Sequence, residues 1–247
     1  MSQANFLILS GDGINCERET AFAFEQAGGK AQIIHVNKLL ENPSILESFQ
    51  GMAFPGGFSF GDELGSGQVL ATKIKHGLLE QFHRFVEDGK LVIGICNGFQ
   101  VLTKLGLLPN HKKNRTVALA PNNHGQFLNK WVGMNVKTEK CIWTKGIESL
   151  ELPARHGEGR IVFSAGKEEE IYQELKDNGQ IVFEYTTDIN GSYKKIAGLC
   201  NAEGTVLGMM PHPEAALYEA TSRIRSSNPW DKTAAMKIFE NAIAYYK

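Results

Sequence analysis

A short apolar run that ends at a cysteine limits what this chain can fold into more than any other stretch. The run Leu91–Ile95 leads into Gly94-Ile95-Cys96-Asn97-Gly98, and Val101–Leu105 follows with apolar residues at helical spacing. We expect a buried strand, a sharp turn at Cys96 and a helix, because small residues beside the turn let neighbouring backbone pass close by. Such an elbow displays its side chain, and the start of a helix favours a thiolate.

Cys96 has two interpretations at this point. Free cysteine is among the most buried residue types and often acts as a small hydrophobic side chain. The Gly-x-Cys-x-Gly spacing is instead typical of a nucleophile elbow, with sulfur in place of a serine oxygen. A choice between a structural thiol and a nucleophile requires a base elsewhere in the chain.

A histidine and a glutamate near the C-terminus could supply that base and its orienting group. The segment Pro211-His212-Pro213-Glu214 follows an apolar run. Residues two apart on an extended backbone lie on the same side, and Pro213 is expected to keep the segment extended rather than helical. Alone, His212 could be structural and Glu214 could stabilise a helix N-terminus. Together with Cys96 they fit a catalytic triad, in which the carboxylate orients the imidazole and the imidazole moves the proton.

Strands and helices alternate through the first half of the chain. Apolar runs at 6–9, 33–36, 51–54 and 91–95 are separated by helical patterns at 17–27 and 70–87. The alternation predicts an α/β fold, with a mostly parallel central sheet, helices on both faces and ligands at the carboxyl ends of the strands. Gly56 and Gly57 follow the third strand and would therefore face the same crevice as Cys96.

The second half of the chain is expected to contain a few antiparallel strands. They would either join the sheet or form a small separate layer. Short apolar segments occupy 116–119, 131–136, 160–163 and 181–185, and the runs at 196–200 and 206–210 indicate a hairpin. Helices are expected at 168–176 and 234–246. No repeat or linker marks a second unit, so we expect a single domain over residues 1–247.

Composition excludes several classes of function. The 26 basic and 27 acidic side chains nearly cancel, which gives no electrostatic reason to expect nucleic acid or an anionic membrane as a partner. The one compact basic cluster, Lys112–Lys113 with Arg115, is expected to be a solvated loop. No segment is long and apolar enough to span a bilayer and no signal peptide is evident, so we expect a cytoplasmic protein with reduced thiols.

Cofactor motifs are also incomplete. The turn Gly11-Asp12-Gly13 has Cys16 where a dinucleotide fingerprint needs its third glycine, and no Gly-Lys-Ser/Thr follows the glycines of 61–67. The four cysteines, Cys16, Cys96, Cys141 and Cys200, are far apart and lack the close spacing of a zinc site. We therefore expect no disulfide framework, no metal and no cofactor in this chain.

Four blocks carry a family resemblance. They are Phe54–Asp62 (Phe-Pro-Gly-Gly-Phe-Ser-Phe-Gly-Asp), Gly94–Gln100 (Gly-Ile-Cys-Asn-Gly-Phe-Gln), His156–Arg160 (His-Gly-Glu-Gly-Arg) and Pro211–Glu214. In sequence and order they resemble the class I, triad-type glutamine amidotransferases, whose domain is flavodoxin-like. Within that family they are most similar to the glutaminase components of phosphoribosylformylglycinamidine synthases.

The resemblance implies roles for individual residues. Cys96 would attack the carboxamide of L-glutamine and form a thioester, His212 would move the proton, and Glu214 would orient His212. Backbone N–H groups of the Gly56–Gly57 loop and of Asn97 would meet the oxyanion. Gln100 and the Gly157–Glu158 segment would help to hold the glutamine.

The resemblance also implies a partner. Ammonia would pass to a separate large synthetase subunit, which uses ATP and Mg²⁺ to convert formylglycinamide ribonucleotide to formylglycinamidine ribonucleotide; whether a small accessory subunit is needed stays open. Two departures from the family pattern concern docking: Ala215 stands where arginine is common, and Glu63–Gly67 replaces Tyr-Leu-Arg-Cys-Gly.

Other hypotheses remain at this stage. The glutaminase could serve another ammonia acceptor, as in GMP or CTP formation. The chain could instead be a glutamine-sensing or scaffold subunit without turnover, against which the complete set of Cys96, His212 and Glu214 argues. A cysteine peptidase or chaperone of related fold would leave the His-x-Glu element unexplained.

Overall fold

The computed structural model describes residues 3–110, 115–223 and 228–247, so the predicted basic pair Lys112–Lys113 lies outside the described residues. The strands are β1 (Asn5–Ser10), β2 (Lys30–His35), β3 (Gly51–Phe54), β4 (Leu91–Ile95), β5 (Val117–Pro121), β6 (Leu128–Val136), β7 (Ser149–His156), β8 (Glu158–Phe163), β9 (Ile181–Tyr185), β10 (Ile196–Cys200) and β11 (Val206–Met209). The helices are α1 (Glu17–Gln26), α2 (Val36–Glu41), α3 (Gln68–Gly77), α4 (Leu79–Glu87), α5 (Asn97–Leu105), α6 (Glu168–Asp177) and α7 (Ala234–Ala244).

Among the described residues, nine strands form one sheet in the order β2-β1-β3-β4-β11-β10-β9-β6-β7. The strands from β2 to β11 in this order are parallel, and β10, β9, β6 and β7 continue the sheet through antiparallel pairs. The strands β5 and β8 form a separate antiparallel pair. The predicted antiparallel segments thus do both things expected of them, since β6 joins the main sheet and β5 and β8 form a small second layer.

Apolar side chains cover both faces of the parallel region. Phe6 of β1 stacks on Phe24 of α1, and Phe24 meets Phe239 of α7 edge to face. Phe54 of β3 points to the opposite face, because it lies three residues beyond the register partner of Phe6, and there it packs against Phe82 of α4. The helices therefore flank the sheet on both sides, which confirms the predicted flavodoxin-like α/β architecture.

The central strand β4 determines the position of the candidate site. All five of its residues are buried, and it pairs in parallel with β3 on one side and β11 on the other. Gly94 is in register with both Phe54 and Gly208, so the three strands end side by side. The loops that follow them carry Gly56–Gly57, Cys96 and His212, and the topology thus brings these distant segments to one edge of the sheet.

Sequence analysis missed one strand, β7. This strand contains Pro153, which has no N–H for a ladder hydrogen bond and therefore weakens any strand prediction. Its position at the end of the sheet explains why the proline is tolerated. Among the described helices, none is both long and apolar enough to cross a bilayer.

Close packing at Gly98 gives a test of the elbow. A Cβ added to Gly98 would lie 1.8 Å from the main-chain oxygen of Phe54, and backbone cannot move aside as a flexible side chain can. We expect Gly98→Ala to lower the free energy of unfolding by about 3 kcal/mol, at the upper end of overpacking costs. Urea denaturation of the purified protein measures the change.

Gly11→Ala is the matched control. A Cβ there would make only ordinary contacts, the nearest at 3.5 Å, so the change in unfolding free energy should be less than about 1 kcal/mol. Equal losses for the two variants would show that the close approach of Gly98 to Phe54 does not constrain the elbow.

Candidate active site

Cys96 occupies a strained turn between β4 and α5. Its φ of 52° and ψ of −107° are unusual for a residue with a side chain, and such strain persists only where the surroundings hold it. The Cys96 N–H donates to the main-chain oxygen of Met209 at 2.8 Å, and the Sγ lies 3.6 Å from the main-chain oxygen of Arg155. The sequence-predicted elbow is therefore present, with the thiol at the N-terminus of α5.

His212 and Glu214 form a buried pair just beyond β11. The Nδ1 of His212 lies 2.6 Å from Oε1 of Glu214, and both side chains are about nine-tenths buried or more. The main-chain N–H of His212 donates to the main-chain oxygen of Pro153 at 2.9 Å, which ties the segment to β7. The structure thus brings together the base and the carboxylate predicted from the sequence.

The backbone of this pair differs from the sequence-based expectation. His212 is extended, but Pro213–Ala215 forms a 3₁₀ turn, so the prediction that Pro213 keeps the whole segment extended was wrong. The fixed φ of proline suits the first position of a helical turn as well as a strand. The carboxylate therefore reaches the imidazole from within a turn.

The environment of His212 favours the charged imidazolium. Burial by itself lowers the pKa, but the neighbouring Glu214 carboxylate and the thiols of Cys16 and Cys96 outweigh it, and the pKa is raised well above the ordinary value. Burial raises the pKa of the Cys16 thiol. A charged imidazole beside a thiol can stabilise a thiolate and can later donate a proton to a leaving group.

The loop before α1 holds the Gly56–Gly57 loop in place. The Gly56 oxygen accepts hydrogen bonds from the N–H groups of Asn15 and Cys16, both at 3.3 Å, and the Phe58 N–H donates to the Gly13 oxygen at 2.8 Å. Gly57 has a φ of 144°, and a Cβ on it would lie 2.7 Å from the Gly13 oxygen. Only glycine fits this position.

This arrangement leaves main-chain donors free beside Cys96. Within the described part of the chain, the N–H groups of Gly56, Gly57 and Asn97 donate to no protein acceptor. Gly57 and Cys96 line one pocket, and Asn97 directly follows the nucleophile. Such N–H groups can stabilise an oxyanion, as the sequence interpretation of Gly56 and Asn97 requires.

The predicted glutamine-binding residues form a network behind the pocket. Gln100 is buried and donates through Nε2 to the main-chain oxygen of Glu158, while its Oε1 accepts from Asn97 at 3.0 Å. Asn97 also donates to Asp62 at 3.2 Å, and Glu158 Oε2 accepts from the Ser66 N–H at 3.3 Å. The amide of Gln100 is thus used within the protein, and its arrangement positions the Gly157–Glu158 segment.

Cys96 and His212 open into one pocket of about 330 Å³, whose other lining residues are Asn15, Cys16, Gly57, Phe58, Phe127, Asn129 and Arg155. Glu214 lies behind His212 and does not line it. Sequence analysis missed Asn15, Cys16, Phe58, Phe127, Asn129 and Arg155 as site residues. For Asn15 and Cys16 the available signal was positional, because the loop after β1 ends at the same edge of the sheet as Cys96.

Cys16 is the most notable of these additions. Its Sγ, a ring nitrogen of His212 and a carboxylate oxygen of Glu214 all lie within 4.8 Å of one another. The site therefore contains two thiols, one on the elbow and one beside the His212–Glu214 pair.

The buried His156 at the end of β7 gives a pH test. Its Nδ1 lies 3.2 Å from Asn122 Oδ1, and burial, aided by the charge of His212, lowers its pKa to about 4. Below pH 6.5 this histidine is protonated in the unfolded chain but stays neutral in the folded chain. The free energy of unfolding therefore decreases as the pH is lowered from 6.5 towards 4. His156 should contribute a loss of about 2 kcal/mol in unfolding free energy between pH 7.5 and 5.0.

Urea denaturation of the wild type and of His156→Gln at the two pH values isolates this contribution. Glutamine cannot titrate but can still bond to Asn122, so the variant should lose about 2 kcal/mol less than the wild type on acidification. The same pH dependence in both proteins would exclude His156 as the source.

Comparison with known proteins agrees with this geometry. Residues 3–246 match the CobB/CobQ-like glutamine amidotransferase domain. The chain is 40% identical to the phosphoribosylformylglycinamidine synthase subunit PurQ of Methanococcus maripaludis strain C5, over 97% of both chains, and 39% identical to that of Dehalococcoides mccartyi, over 99% of this chain and 98% of the relative.

Solved structures show the same relationship. A chain of the Thermotoga maritima PurLQS structure aligns over the full length of both chains with a TM-score of 0.79 and 30% identity. A glutamine amidotransferase from Thermotoga maritima aligns with a TM-score of 0.55 and 15% identity over 90% of this chain and 80% of the other, which shows a shared fold. The family match covers nearly the whole chain, including the elbow, the base and the carboxylate. This chain therefore belongs to the CobB/CobQ-like glutamine amidotransferase family.

Proposed function

We propose that this chain is the glutaminase subunit of a phosphoribosylformylglycinamidine synthase. The main support for this chemistry is that three features lie together at one pocket. They are the strained Cys96 elbow, the His212–Glu214 pair and the free main-chain N–H groups. Relatives that match nearly the full length of the chain are named as subunits of that synthase. Their names support the choice of formylglycinamide ribonucleotide as the ammonia acceptor.

The first half of the reaction makes a thioester. The Cys96 thiolate attacks the side-chain carbonyl carbon of L-glutamine, and the oxygen that becomes negative is stabilised by the N–H groups of Gly56 or Gly57 and of Asn97. The His212 imidazolium then donates a proton to the amide nitrogen as the C–N bond breaks. Ammonia leaves, and a γ-glutamyl group remains on the sulfur.

The second half regenerates the enzyme. Neutral His212 accepts a proton from water, the resulting hydroxide attacks the thioester carbon, and the C–S bond breaks to release glutamate and the Cys96 thiolate. Glu214 keeps the imidazole in one orientation through its bond to Nδ1 and stabilises the charge that forms on the ring. The Gly157–Glu158 segment, held by Gln100, borders the glutamine in this proposal.

The acceptor lies on another polypeptide in this proposal. A large synthetase subunit receives the ammonia and, with ATP and Mg²⁺, converts formylglycinamide ribonucleotide to formylglycinamidine ribonucleotide. The chain itself uses no cofactor in these steps, and we place it in the cytoplasm, where a reduced Cys96 is maintained. The solved PurLQS structure from Thermotoga maritima, one chain of which resembles this protein along its full length, supports a partner of this kind.

The two sequence departures lie in separate segments of the chain. Ser66, in the unusual 63–67 loop, bonds through its Oγ to Asp62 and through its N–H to Glu158. Ala215 ends the turn that carries Glu214 and lines a surface groove with Phe22 and Tyr218. We propose that both positions adjust docking to the synthetase without changing the triad.

Cys96→Ala tests the nucleophile and the acceptor together. With the synthetase partner, formylglycinamide ribonucleotide and ATP, the variant should lose glutamine-dependent formation of the amidine and keep the ammonia-dependent reaction, because only the thioester step needs the thiol. Liquid chromatography of the ribonucleotide products measures both activities.

A glutamine-like diazo-ketone gives the control. Mass spectrometry should locate the adduct on Cys96 rather than on Cys16, although both thiols line the pocket.

Loss of the ammonia-dependent activity as well in Cys96→Ala would point to a structural role for Cys96. Glutamine hydrolysis without amidine formation by the wild type would favour another acceptor.

Glu214→Gln tests the orienting group. An amide of the same size cannot fix the imidazole tautomer or stabilise its charge, so kcat for glutamine hydrolysis should fall by about 10²–10⁴-fold. Glutamate release measures the rate, and circular dichroism checks that the variant is folded. Glu170→Gln, on the exposed start of α6, should keep the wild-type rate; equal rates for all three proteins would exclude Glu214 from the triad.

A further inference from the structure

The glutaminase mechanism leaves one reactive group of the pocket unused, the thiol of Cys16. Its main-chain N–H holds Gly56, while its thiol lies 3.2 Å from Asn15 Oδ1 and interacts with the imidazole of His212 beside Glu214. Cys16 and Cys96 both line the pocket. A soft nucleophile at this position adds a ligand to two groups that bind metals in many proteins.

The donor set matches the chemistry of Zn²⁺. Thiolate sulfur, imidazole nitrogen and carboxylate oxygen are its three usual protein ligands, at distances of about 2.0–2.3 Å. Ligand atoms around one tetrahedral Zn²⁺ are therefore roughly 3–4 Å apart. The Cys16, His212 and Glu214 atoms all lie within 4.8 Å of one another, so small side-chain rotations bring them around one ion.

Unused coordination capacity is a second, independent observation. The Oε2 of Glu214, whose Oε1 lies against Nδ1 of His212, is buried and has no hydrogen-bond partner within the described residues. Both residues are more than nine-tenths buried. A buried polar atom without a partner is costly, and a cation bound between Glu214 and Nδ1 of His212 would satisfy it.

We propose that Cys16, His212 and Glu214 form a Zn²⁺ site that reversibly blocks the glutaminase, with the open coordination position facing the pocket that Cys96 lines. Binding displaces the thiol proton of Cys16 and the proton on the ligating ring nitrogen of His212, and both protons are released to solvent. The metal then occupies the base and its orienting carboxylate, so that neither can serve the reaction. The inhibition rests on the proposed function; the metal binding does not.

Metal binding is tested first, on tag-free full-length protein freed of metal. Zn²⁺ affinity is measured by competition with a chromophoric chelator, and Co²⁺ in place of Zn²⁺ reports thiolate ligation through its charge-transfer absorption. Cys16→Ser should bind Zn²⁺ at least tenfold more weakly and lose most of that absorption. Retention of both properties by Cys16→Ser would overturn the proposal.

Cys200→Ser is the matched control. Cys200 is a buried cysteine that interacts with Cys141 and could itself attract a soft metal. This variant should keep the wild-type affinity and cobalt spectrum. Loss of the signal in Cys200→Ser, with retention in Cys16→Ser, would place the metal at the Cys141–Cys200 pair and exclude the proposed site.

Inhibition is tested second, with each protein normalised to its own metal-free rate. Zn²⁺ should inhibit glutamine hydrolysis by the wild type, a chelator should restore it, and Cys16→Ser should need at least tenfold more Zn²⁺. Full activity of the wild type with Zn²⁺ bound at Cys16 would overturn the block. If no glutaminase activity exists in any protein, the proposed function fails, and the cobalt spectra still decide whether the site binds metal.

Discussion

The parallel pairing of β4 with β3 and β11 is the constraint on which the rest of the structure depends. The three strands run side by side, so the segments that follow them emerge at one edge of the sheet although they are far apart in the chain. Close packing of Gly98 on Phe54 then fixes the turn between β4 and α5, and Cys96 takes its strained backbone conformation there. The nucleophile, base and free N–H groups meet because of this topology, and no local sequence preference could bring them together.

Much of the fold and the core of the site could be predicted from the sequence. The strands β3, β4 and β9 begin and end where the apolar runs do, since these strands are buried and bounded by turn residues. Cys96 and His212 could be predicted because each lies in a short, unusual pattern directly after such a run. The expected direction of the chain at Pro213 was wrong, since proline suits the first residue of a 3₁₀ turn as well as an extended segment.

Contacts between distant segments were not predictable in the same way. Cys16 was set aside because the four cysteines lack the spacing of a zinc site, yet the fold brings it beside His212 from the opposite end of the chain. Spacing rules cover ligands that share one loop or helix, and they do not cover ligands collected by a sheet edge. Gln100 shows the complementary case, since its position matched the family pattern, whereas its amide bonds to Asn97 and Glu158 could be seen only in the structure.

The proline in β7 has a consequence for association between molecules. Pro153 faces Trp131 across the ladder, and its main-chain oxygen accepts the His212 N–H, so its polar side points away from β6. The missing N–H therefore costs no hydrogen bond within the sheet. The buried Pro153 is covered at this edge by the segment that carries His212, and the exposed Arg155 adds a charge to the same edge. A covered and charged edge is poorly suited to pairing with a strand of another molecule.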